Sequence, residues 1–215
     1  MRVRRFALTA TLLTLCLVTG TACSGSGSAR EGALPPDPPG FKRFGGPANG
    51  VSVAVPETWT TLDLSQDDPE SVLAGVGVSD RALEQVGRNL RPLVSAKAIW
   101  AAETEALKNA PFATNLNGFC QPSSGFAADT LIAKAREQFD RINAEVSEAA
   151  ETHIGRIRAV RLVYTVTTGG RKITGTQYHV PFGRRTCVVT LSTDRDDMRE
   201  LFDRIGQTIA PPRPA

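Results

Sequence analysis

Three apolar-rich segments follow one another near the C-terminal end with almost nothing between them. Arg158 to Thr167 reads as a strand, Thr168-Gly169-Gly170 as a turn, and Arg171 to Pro181 as a second strand. A Gly-Gly pair between two such runs supplies the positive φ angles that a two-residue hairpin needs. Phe182-Gly183-Arg184-Arg185 then turns the chain into a third strand, Thr186 to Ser192. Strands joined this tightly run antiparallel, because a parallel neighbour requires a crossover of a dozen residues or more.

The preceding chain offers further strands, and helices to lie against them. Phe41 to Phe44 is a short strand, and Val51, Val53 and Val55 alternate with small residues in the next, closed by a turn at Pro56-Glu57-Thr58-Trp59. Alternation of period two marks a half-buried strand. Asp68-Pro69-Glu70-Ser71 is a helix start, with Asp as cap and Pro at the first helical position. A second start at Ser79-Asp80 leads to Leu83, Val86, Leu90 and Val94, spaced along one face. Ala98 to Glu103 and Phe112 to Cys120 read as strands. The longest helix is expected over Asp129 to Val146, with Leu131, Ala135, Phe139, Ile142 and Val146 as its apolar stripe. Asp194 opens a last helix that carries Met198, Leu201, Phe202, Ile205 and Ile209. This order predicts an α+β domain, an antiparallel β-sheet packed between helices.

The N-terminal residues say where that domain works. Arg2, Arg4 and Arg5 precede an uncharged run from Phe6 to Gly20, and Thr21-Ala22-Cys23 follows. A basic head, a short apolar run and small residues before a cleavage point describe a secretory signal. At about 15 residues the run falls short of the ~20 that span a bilayer. Cys at position 23 resembles a bacterial lipobox, although the usual Leu three places earlier is Gly20. In that reading the Cys23 thiol receives the lipid; the alternative is a plain secretory signal. Ser24-Gly25-Ser26-Gly27-Ser28 and Pro35, Pro36, Pro38 and Pro39 make a leash without core-forming residues. The expected layout is a signal peptide over 1–22, a lipid anchor and linker over 23–40, the domain over 41–210 and a frayed tail over 211–215.

Charge and cysteine use agree with export. The net charge of +3 is the three signal arginines, so the remaining 22 bases meet 22 acids. A neutral domain gives no electrostatic argument for nucleic acid. Cys16 lies in the signal, which leaves Cys120 and Cys187 as an even pair in an oxidising compartment. A disulfide between them is the expectation, with two buried thiols as the alternative.

Four segments together resemble the PsbP/Mog-like fold, in particular the actinobacterial LpqN-type lipoproteins: GVSVAVPETW from Gly50, FATNLNGFCQP from Phe112, GRIRAVRLVY from Gly155, and Leu201 to Ile209. The likeness covers roughly residues 41 to 210. Residues 76 to 97 and Gly118-Phe119-Cys120 depart from the family pattern. The resemblance implies an antiparallel sheet between helices and carries over no catalytic residue. Other branches of the fold act as protein-binding or assembly factors, so it implies binding.

Candidate chemistry is sparse. His153 and His179 are the two histidines, and no Gly-x-Ser-x-Gly elbow accompanies them. Asp63, Ser65, Asp67 and Asp68 have calcium-loop spacing, but Pro69 stands where a turn glycine would help, and a helix cap explains the acids. No paired Cys or His has zinc spacing, so neither a metal nor a cofactor is expected. Trp59 and Trp100 either line a hydrophobic cleft or belong to the core. Arg156, Arg158, Arg161, Arg171, Lys172, Arg184 and Arg185 either gather on the meander turns as an anion-docking patch or stand scattered in solvent. The reading is a non-catalytic, extracytoplasmic lipoprotein on the outer face of the cell membrane, held through Cys23, binding an envelope protein or polymer. The alternatives are a small-ligand or lipid carrier and, behind it, an envelope enzyme.

Overall fold

The meander is where the turns place it. In the computed structural model, which describes residues 36–123 and 125–212, the strands are β6 (Glu145–Ile154), β7 (Ile157–Thr168), β8 (Arg171–Phe182) and β9 (Arg185–Thr193). Thr168 pairs with Arg171 across Gly169 and Gly170, both at positive φ. Gly155 and Gly183 hold the first central position of the other two hairpin turns, also at positive φ.

The remaining strands are β1 (Phe41–Phe44), β2 (Val53–Pro56), β3 (Trp59–Asp63), β4 (Ile99–Glu103) and β5 (Asn115–Pro122). Seven strands form one antiparallel sheet in the order β3-β4-β5-β9-β8-β7-β6, and β1 and β2 pair as a separate ribbon. The helices are α1 (Pro69–Gly75), α2 (Asp80–Ser95), α3 (Thr104–Asn109), α4 (Ala128–Arg141) and α5 (Arg199–Gly206). The fold is thus α+β, with a sheet covered on both faces.

One face carries the largest core: Val53 and Val55 from the ribbon, Val51 just before it, and Phe202 and Ile205 from α5 cover Leu116, Tyr178, Val189 and Leu191. On the opposite face, α1 and α2 enclose Leu62, Leu73, Leu90 and Trp100, while α4 lays Ala135 and Phe139 over Val160, Leu162 and Tyr164. Two close approaches need glycine. A Cβ on Gly206 would stand 2.4 Å from Tyr178 Cζ, and one on Gly175 only 2.2 Å from Tyr164 Cζ. These contacts set how low α5 sits on β8 and let the Tyr164 ring lie across the sheet.

Several elements differ from expectation. The long helix ends at Arg141, not Val146, and Asn143 at φ 53° turns the chain into β6. The sequence EVSEAAETHI is rich in helix formers, but pairing with β7 overrides that preference. His153 therefore lies in β6. Trp59 opens β3 instead of closing a turn, and α3 was not anticipated. The last helix begins at Arg199, after a single 3-10 turn over Asp196–Met198. Asp68 does cap α1, accepting from the Ser71 backbone N–H at 3.2 Å. Among the described residues, no helix is long and apolar enough to cross a membrane.

Candidate binding cleft

Arg161 occupies a position in β7 where an apolar side chain would be expected, on the sheet face that α5 covers, and it is 8% exposed. A buried guanidinium is tolerated only when its donors are all met. Its Nη1 donates to Glu148 Oε1 at 2.5 Å, its Nη2 to Asp203 Oδ1 at 2.8 Å, and its Nε lies 3.4 Å from the Tyr178 hydroxyl. Tyr178 in turn donates to Asp203 at 3.2 Å, and Arg199 reaches the second Glu148 oxygen at 3.0 Å. The cluster ties together β6, β7, β8 and α5.

Its electrostatics follow from burial against pairing. Burial opposes the charge of Arg161, but hydrogen bonds with Tyr178 and Glu148 and the Asp203 charge outweigh it and raise the pKa. Burial alone would raise the Glu148 carboxyl; the two arginines reverse this and hold it below the usual range. Burial, aided by Asp203, pushes the Tyr178 phenol up to about 12 despite Arg161. Arg161, Glu148 and Tyr178 therefore keep fixed protonation near neutral pH, in an arrangement that binds and orients.

The cluster forms the floor of a cleft. Arg199 and Asp203 on α5 and Gln207 at its C-cap recur every four residues and make its wall, facing Glu148 and Thr152 on β6. Two adjoining hollows of about 330 and 500 Å³ share these wall residues. The side chains of Glu148 and Asp203 remain 38% and 46% exposed, so the cleft presents two anchored carboxylates to solvent. Gln207 donates to the His153 carbonyl at 3.2 Å, which joins the far end of the wall to β6.

The residues singled out from sequence are placed elsewhere. Trp59 and Trp100 are both buried but are not brought together, since each belongs to a different core cluster. Cys120 and Cys187 are directly opposed on β5 and β9 and are joined as a disulfide. The acids after Asp63 form a local knot: Asp63 accepts from Asn49, Ser65 and Gln66, and Asp67 accepts from the Asp63 backbone. Among the described residues, no group of three or more Cys, His, Asp or Glu side chains is arranged to hold a metal.

The seven meander cations do not form one patch. Arg171 and Lys172 stand at the β7–β8 turn, Arg156, Arg184 and Arg185 at the opposite end of the sheet. Arg158 is forked onto Glu151 at 2.6 and 2.8 Å, Arg171 pairs with Asp194, and Arg161 belongs to the cleft. His179 is buried in β8 with Nε2 2.8 Å from Gln177 Oε1. Glu148, Tyr178 and Asp203 had no sequence signal of their own as a site. An Arg set between Val160 and Leu162 in a buried strand was the available clue.

No protein-family model matches the chain, and no curated protein matches it. Solved structures do. The cyanobacterial PsbP protein CyanoP from Synechocystis aligns with 88% of this chain and 97% of its own at 16% identity and a TM-score of 0.48. LpqN of Mycobacterium tuberculosis, described as involved in cell envelope biogenesis, aligns with 80% of this chain and 92% of its own at 14% identity and a TM-score of 0.49. At these identities and scores neither protein's role transfers to this chain.

Proposed function

We propose that this protein is a lipid-anchored, extracytoplasmic binding module, tethered through Cys23 and docking its partner at the cleft between β6 and α5. The observation that carries the location is the disulfide between Cys120 and Cys187, since such bonds persist in oxidising compartments. It agrees with the basic head, apolar run and Cys23 of the N-terminal sequence. Binding rather than catalysis is favoured by the occupation of the ionisable groups. The cleft's charges are locked in ion pairs, and the His179 ring is buried against Gln177.

The expected processing is cleavage before Cys23 and partition of the product into the detergent phase. Cys23→Ala, or inhibition of the lipoprotein signal peptidase by globomycin, should leave an uncut precursor or release the domain as a water-soluble species. Unchanged size and unchanged partitioning would refute the anchor.

A further inference from the structure

The two sulfurs of the Cys120–Cys187 bond stand in unlike surroundings. Cys187 is fully buried in the main core. Cys120 is only part-buried, and exposed Gln121 and Pro122 follow it to the end of β5. Arg185, two residues before Cys187 in β9, shares its face of the sheet and is the diagonal neighbour of Cys120 across the ladder. The guanidinium and that sulfur meet beside Gly50: a Cβ on Gly50 would stand 2.9 Å from Arg185 Nη1 and 3.2 Å from Cys120 Sγ. Gly50 also serves the other sulfur, because its carbonyl oxygen lies 3.6 Å from Cys187 Sγ.

We propose that Cys120 is a thiol–disulfide exchange site, at which a dithiol reductant opens the Cys120–Cys187 bond while the domain stays folded. Exchange begins when a thiolate reaches one sulfur of the bond. Burial closes Cys187 to it, so the incoming thiolate bonds to Cys120 Sγ, and Cys187 leaves with the electron pair. The Cys187 sulfur takes up a proton, and the resulting S–H has the Gly50 carbonyl as its acceptor. The second thiolate of the reductant then displaces Cys120 and closes the reductant's own disulfide, so the dithiol loses the two electrons that the protein's bond gains. The released Cys120 thiolate faces the Arg185 guanidinium, and a neighbouring cation stabilises a thiolate. Both products of opening thus have a partner in place, an acceptor for the buried thiol and a cation for the outer thiolate. The backbone ladder from Asn115↔Ser192 to Phe119↔Val188 does not depend on sulfur. Opening therefore slackens the Gly50 segment and the end of the seam, not the sheet. This inference goes beyond the binding reading and needs neither Cys23 nor the cleft at α5.

Glutathione added to the folded, full-length protein in detergent provides the test. The reaction is quenched in denaturant with N-ethylmaleimide, which labels whichever cysteine is left as a thiol, and the adducts are mapped by peptide mass spectrometry. Glutathione is expected on Cys120 and maleimide on Cys187. Dithiothreitol should open the bond in native buffer faster than the oxidised domain unfolds, as measured by its unfolding rate extrapolated from urea. After reduction, Arg185→Gln should slow the alkylation of Cys120 by iodoacetamide at neutral pH about threefold or more, and Arg184→Gln should leave it unchanged. Glutathione on Cys187, a bond that opens no faster than the domain unfolds, or an alkylation rate that Arg185→Gln does not move overturns the proposal.

Discussion

His179 shows how one buried ring couples this fold to pH. It stands in β8 between Val160 and Val188 of the flanking strands and is 8% exposed. Burial pushes its pKa down from 6.5 to about 4. Between those values the unfolded chain binds a proton that the folded chain excludes, so stability rises with pH across the window. The contribution is complete above pH 6.5 and is lost as pH falls toward 4, amounting to about 3 kcal/mol at 1.36 kcal/mol per unit. Carboxylates such as Glu148 also lose stability on acidification, so the measurement must isolate the ring. Urea unfolding of wild type and His179→Leu at pH 7 and pH 4 does so. The wild type's stability relative to the variant should be greater at pH 7 by about 3 kcal/mol. A difference that does not vary with pH would mean the ring is protonated inside the fold.

At the scale of elements, the Arg161 cluster holds the edge of the sheet to α5. Arg161→Met keeps the bulk of the side chain and leaves Glu148 and Asp203 without their central partner. Breaking a buried pair costs about 3–5 kcal/mol, and the lower end applies because both carboxylates reach solvent. Urea unfolding should therefore show a loss of about 3 kcal/mol, and a loss below about 1 kcal/mol would class the cluster as a surface contact. The parts of the fold legible in sequence were those with local signals. The Gly-Gly and Gly-Arg turns gave the meander, Asp68-Pro69 gave α1, and the Val51, Val53, Val55 alternation gave β2. β6 was hidden because Glu and Ala favour helix and only the β7 partner makes that segment a strand. The cleft was hidden for a different reason. Its four central groups come from β6, β7, β8 and α5, spread from Glu148 to Asp203, and no local pattern signals their meeting.

For the whole molecule, the decisive junction is between β5 and β9. It joins β3, β4 and β5, with their helices α1, α2 and α3, to the meander that follows α4. Eight residue pairs from Asn115↔Ser192 to Pro122↔Arg185 form this seam, and the disulfide is one of them, Cys120↔Cys187. The bond closes a stretch with a sequence separation of 67 that contains α4, β6, β7 and β8. Closing a loop of that length in the unfolded chain stabilises the folded state by about 4 kcal/mol on the chain-entropy model. Oxidised and reduced samples of the same sequence isolate this contribution, because no side chain is changed. Reduction should lower the urea midpoint by the equivalent of about 4 kcal/mol, a large part of the ~5–15 kcal/mol that holds a domain together. Thiol titration of the unfolded, unreduced domain should find neither Cys120 nor Cys187 reactive. Two reactive thiols there would remove both the seam's covalent tie and the chief support for an oxidising location.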